Sequence, residues 1–84
     1  MAEETTFNRL TPVLRDVFDN DGLIATPDLV ARRVEGWDSL GHVRLLLEVE
    51  KVFGIHFSAG EISSLKNVGQ LADLIESKTH TSTP

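Results

Sequence analysis

Apolar side chains at Phe7, Leu10, Val13, Leu14, Val17 and Phe18 recur every three or four residues, the spacing that collects them on one face of a helix. This predicts a first helix over about residues 5–18. Pro12 interrupts it, and a proline in a helix interior costs about 3 kcal/mol, so the helix either starts near Thr11 or carries an irregularity there. Asp19-Asn20-Asp21-Gly22 then reads as a stop. Residues 19–38, with Pro27, Gly36 and only short apolar runs, read as a long surface loop, and unstructured loops of more than about 12–15 residues in small domains are often functional.

A second helix runs from Ser39 to Phe53 and closes on Gly54, a natural C-terminal cap residue. Leu45, Leu46, Val49, Val52 and Phe53 fall on one arc of it, the expected core face. Leu40, Val43 and Leu47 form a second apolar stripe bordered by Arg44 and Lys51, which is either another buried contact or a docking surface for a protein partner. The pattern by itself favours burial. Gly60–Leu65 fits a short helical turn, and Val68, Leu71, Ala72, Leu74 and Ile75 mark a last amphipathic helix over about Asn67–Ser77. The expected fold is all-α, a four-helix bundle of three main helices and one short one. One domain over 1–78 is expected, with 79–84 as a disordered polar tail.

The 84 residues carry 13 acids against 8 Lys and Arg, a formal net charge of -5, which argues against a nucleic-acid partner because phosphate-backbone binding rests on clustered cations. With no cysteine, disulfides and thiolate metal sites are excluded, and a cytoplasmic setting is the default. Apolar runs such as Leu45-Leu46-Leu47 are far too short to span a membrane, and no membrane partner is expected. Gly36-Trp37-Asp38-Ser39-Leu40-Gly41 looks superficially like a nucleophile elbow, but that motif needs glycine two residues before the serine, where Trp37 stands. Asp38, Ser39 and His42 on one helical turn lack the base and orienter geometry of a triad. His42, His56 and His80 have no zinc-ligand spacing, so no catalytic or metal residue is expected. Taken by itself, Asp38-Ser39 is a helix cap, with Asp38 accepting a backbone N–H in the first turn.

The joint arrangement is more specific: Asp38-Ser39-Leu40, an amphipathic helix, Phe53-Gly54-Ile55, then Asn67-Val68-Gly69-Gln70-Leu71 opening the last helix. From Phe7 to Ile75 it resembles the acyl carrier protein family. The resemblance implies a monomeric carrier rather than an enzyme. It also implies that Ser39 receives 4'-phosphopantetheine from coenzyme A through a phosphopantetheinyl transferase, and that the arm's thiol holds acyl groups as thioesters for loading, condensing or modifying enzymes. Asp38 and Trp37 then lie beside the attached group, and Leu40, Val43, Arg44, Leu47 and Lys51 become partner-docking positions, which reverses the preference for burial. A serine at a helix start suits this, because the free N–H groups and positive helix end favour phosphate. Trp37 either packs on the loop or touches the arm.

The sequence departs from the family where carriers of fatty acid synthesis usually line this helix with acids. Here Glu48 and Glu50 are offset by Arg44 and Lys51, and Gly41 adds a helix-propensity cost of about 1 kcal/mol relative to Ala. The lead-in Arg32-Arg33-Val34-Glu35-Gly36-Trp37 replaces the usual acidic one. The expectation is a dedicated carrier of a specialised fatty-acid or polyketide-type pathway. The alternatives are a peptidyl or aminoacyl carrier, which typically places Gly-Gly or Gly-His before the serine instead of Trp37-Asp38, and an unmodified helical adaptor.

Overall fold

A computed structural model of the chain describes residues 3–80, the His80 side chain apart. Its described residues are helical or irregular, with no strand: α1 (Glu4–Val17), α2 (Ser39–Phe53), α3 (Ala59–Ser64) and α4 (Val68–His80), plus a single 3-10 turn at Ala31–Arg33. The expected four-helix arrangement of three long elements and one short one is therefore the observed one. Pro12 sits inside α1 without ending it. Its ring faces solvent, and the Thr11 hydroxyl beside it donates to the Phe7 carbonyl at 3.1 Å.

The core gathers Leu10, Val13 and Leu14 of α1, Leu45, Leu46 and Val49 of α2, and Val68, Leu71, Ala72 and Ile75 of α4. Burying a side chain of this size contributes about 1.5–3 kcal/mol relative to leaving it exposed, so α1 serves as the common wall against which α2 and α4 pack. The expected face of α2 is right at Leu45, Leu46 and Val49 and wrong at Val52, which is exposed. Phe53 is half-buried under Arg9, whose guanidinium lies 4.2 Å from the ring centroid and donates to the Val52 carbonyl. That contact covers the edge of the core where Val52 turns outward.

The segment between α1 and α2 is less of a surface loop than its composition suggests. Leu23, Ala25 and Val34 are buried in the core, while Ile24 faces outward. Alternate residues are tied down: Arg15 Nε donates to the Leu23 carbonyl at 2.8 Å, Ala25 N–H donates to Thr11 Oγ1 at 3.0 Å, and the Pro27 and Leu29 carbonyls accept from Gly69 and Val68. The last two bonds satisfy orphan N–H groups in the first turn of α4, where Asn67 also caps Gln70. A Cβ on Gly69 would stand 2.7 Å from the Pro27 carbonyl oxygen, so the residue's smallness is what lets the loop reach the helix.

The short α3 holds because Ser58 and Glu61 form a reciprocal capping box. Lys78 near the end of α4 bridges to Glu61 at 2.9 Å, which ties α3 to a part of α4 beyond the helix end expected at Ser77. Helix α4 thus enters the segment assigned to the polar tail, of which 81–84 lie outside the described residues.

Gly41 and Glu61 generate two expectations. A Cβ on Gly41 would fall inside contact distance of the Gly36 carbonyl and 3.1 Å from the Phe18 ring. Gly41→Ala should therefore lose about 1–3 kcal/mol in urea denaturation, although helix propensity alone predicts a gain of about 1 kcal/mol. The Ser58 N–H, followed by the Lys78 ammonium, holds the Glu61 carboxyl below its ordinary value of 4.5. A depressed carboxyl contributes stability that is present above its unfolded value and lost as pH falls through the folded one. The melting-temperature difference between wild type and Glu61→Gln should be largest near neutral pH and close as pH drops below 4.5.

Candidate functional site

Three constraints fix the start of α2. Gly36 turns the chain with φ +90°, a left-handed conformation that glycine adopts without penalty. Asp38 then takes the N-cap position in extended backbone, and its carboxylate accepts from the Gly41 N–H at 2.8 Å. Gly41, buried, lies against the Gly36 carbonyl and Phe18. Ser39 is thereby the first residue of the helix and is exposed. Among the described residues its hydroxyl has no hydrogen-bond partner.

Trp37 packs on the loop rather than projecting into solvent. Its indole stacks on Phe18 with centroids 5.3 Å apart and on His42 at 6.1 Å. Its Nε1 donates to His42 Nδ1 at 3.0 Å, and His42 Nε2 in turn donates to the Ile62 carbonyl at 2.7 Å. Accepting at one nitrogen and donating from the other requires the neutral ring with its proton on Nε2. Both nitrogens being engaged, His42 has none to offer Ser39 as a base, so the triad composition of Asp38, Ser39 and His42 carries no triad geometry. The chain of contacts instead fastens the loop, α2 and the short α3 together.

Beside this chain an open groove of about 470 Å³ is lined by Ala31, Trp37, Asp38, Ser39, His42, Ile62 and Ser63. Of these the sequence singled out Trp37, Asp38 and Ser39. Ala31, Ile62 and Ser63 were missed, because they arrive from the 3-10 turn and α3 and have no sequence neighbour that marks them. The capping box Ser58-Ala59-Gly60-Glu61 was a legible signal for α3, the element that brings Ile62 and Ser63.

The second stripe of α2 is not buried: Leu40 is 70% exposed, Leu47 54% and Val43 44%, with Arg44 and Lys51 exposed among them. Of the remaining histidines, the His56 side chain is almost wholly exposed near Glu50, and that of His80 lies outside the described residues. No group of three metal-ligating side chains occurs among the described residues. None of their helices is long and apolar enough to cross a membrane.

A rigid helix start that exposes an unengaged hydroxyl at the lip of a groove can accept a covalent substituent and lay it along the protein. The residues fit a phosphate-linked group, since the Ser39 and Leu40 N–H groups of the first turn are not engaged by Asp38.

Comparison with known proteins agrees. The family described as "Phosphopantetheine attachment site" matches residues 9–75. An acyl carrier protein of Coprothermobacter proteolyticus is 35% identical over 83 residues, covering 96% of this chain and 99% of its own. One from Lactobacillus johnsonii is 29% identical over 77 residues, covering 92% and 96%. The solution structure of holo acyl carrier protein from Geobacter metallireducens superposes with a TM-score of 0.85 at 42% identity, covering 92% of this chain and 88% of that one. With its fold, its extent and its sequence all in agreement, this chain belongs to the acyl carrier protein family, whose members are carriers rather than enzymes and hold 4'-phosphopantetheine covalently.

Proposed function

We propose that Ser39 is the attachment residue, and that the chain is a cytoplasmic carrier dedicated to a specialised fatty-acid or polyketide-type pathway. One observation carries the assignment: the Ser39 hydroxyl is exposed and, among the described residues, unpartnered at the first position of α2, on the rim of the groove. In the modification, the Ser39 oxygen attacks the pyrophosphate of coenzyme A. A bond forms from Oγ to phosphorus, the bond from that phosphorus to 3',5'-adenosine diphosphate breaks, and the hydroxyl proton leaves to a base of a phosphopantetheinyl transferase. When bound, the group supplies the thiol that holds acyl chains as thioesters.

The surrounding residues have separate tasks in this reading. Asp38 holds the first turn of α2 rigid through its bond to Gly41, and the positive end of the helix favours the phosphate that Ser39 would carry. Trp37, fixed by its stack and its bond to His42, forms a firm wall of the groove and steers the attached arm along it. Leu40, Val43 and Leu47 are the apolar docking positions for acyl-handling enzymes, with Arg44 and Lys51 selecting among them. The mixed charge of α2 supports a dedicated pathway over general fatty acid synthesis, whose carriers usually line this helix with acids.

The decisive experiment follows the intact mass of the protein incubated with coenzyme A, Mg²⁺ and a broad-specificity phosphopantetheinyl transferase. The wild type should gain the mass of one phosphopantetheinyl group, and Ser39→Ala should gain nothing. A wild type that stays unchanged, or a gain that survives the alanine substitution, removes the assignment.

A further inference from the structure

Resting on that docking reading, we infer that the partner surface which seats on α2 is an apolar patch bordered by carboxylates, complementary to Arg44 and Lys51, which stand along one edge of the exposed leucines and take part in no ion pair among the described residues. The helix is formally neutral, but the fold divides its four charged side chains unequally. Glu50 is withdrawn: its side chain is only 16% exposed, it accepts from the Phe57 N–H at 2.7 Å, and it stands 3.6 Å from His56. It is engaged in holding the chain after α2, and most of its side chain is covered, although its backbone position borders Val43. Arg44 and Lys51 are exposed, and among the described residues neither takes part in an ion pair.

Helical geometry places these cations along one edge of the apolar stripe. At about 100° per residue, Leu40, Leu47 and Lys51 fall within about 40° of one another, with Arg44 close beside them and Val43 on the other side. Glu48, half-buried, lies farther round the helix. The exposed face from Leu40 to Lys51, about 16 Å long at 1.5 Å per residue, therefore presents the apolar side chains with two cations along one edge and Glu48 beyond those cations. An apolar seat without carboxylates would desolvate both cations with nothing to offset the cost, and a basic seat would repel them.

The occupant is a protein surface rather than a lipid one. Attraction to an anionic bilayer amounts to about 1 kcal/mol for each basic residue at the surface, and recognition there uses clusters of such residues. Two cations on a chain of net charge -5 fall short of that requirement.

The test uses the full-length protein, isotope-labelled, titrated with two synthetic amphipathic helical peptides that share one leucine stripe. One carries glutamates along both flanks and its twin carries lysines at the same positions. Amide shifts on α2 should report the glutamate peptide binding across Leu40–Lys51, at least about tenfold tighter than the twin, with the gap narrowing as salt is added. Arg44→Glu/Lys51→Glu should reverse the preference, and Arg44→Gln/Lys51→Gln should abolish it, each with wild-type circular dichroism. Equal or tighter binding of the lysine peptide, binding of neither, or tighter association of the same face with phosphatidylglycerol vesicles overturns the inference. Modification at Ser39 is read separately by mass on the same preparations. A protein that is modified but prefers lysines keeps the carrier reading and loses this one, whereas one that prefers glutamates but stays unmodified does the opposite.

Discussion

The backbone contact between Gly41 and the Gly36 carbonyl is the constraint on which the functional end of the molecule depends. Because a helix interior rarely has room for another segment's carbonyl, one of the two strands of chain must lack a side chain, and Gly41 provides the space. The loop can then turn at Gly36, lay Trp37 on Phe18 and hand Asp38 to the N-cap. The exposed position of Ser39 follows from these contacts rather than from anything Ser39 itself does. Phe18 joins the two sides, since its ring touches both Trp37 and the space beside Gly41.

A second economy explains how so small a chain keeps a long non-helical connection in order. The connection contributes Leu23, Ala25 and Val34 to the core and supplies carbonyls that cap α4, so it behaves as an extended strap between α1 and α4. Buried apolar anchors and satisfied backbone groups do here what a disulfide does in other small domains, and no cysteine is needed. The strap also delivers Ala31 to the groove, which couples the stability of the connection to the shape of the site.

Charge behaves the same way, as a property of position more than of composition. The whole chain is acidic and the stretch 19–38 holds five acids against two arginines, yet the apolar stripe of α2 presents Arg44 and Lys51. Screening confines the influence of distant charges to about one Debye length, so the charge a surface presents depends on where the fold places each side chain.

What the sequence determined by itself was the set of elements and the candidate residue. Periods of three and four fixed α1, α2 and α4, Gly54 ended α2, and the motifs around Asp38-Ser39-Leu40, Phe53-Gly54-Ile55 and Asn67-Val68-Gly69 carried the resemblance to the family, because these signals are local or depend only on distances along the chain. The tertiary structure decided everything that needs two distant segments. It turned Val52 outward, buried parts of a supposed surface loop and left Leu40, Val43 and Leu47 exposed. It also converted Gly41 from a propensity defect into a packing requirement, and assembled the groove from three separate elements. Helical periodicity shows which residues share a face, but whether another segment covers that face depends on how the chain folds back upon it.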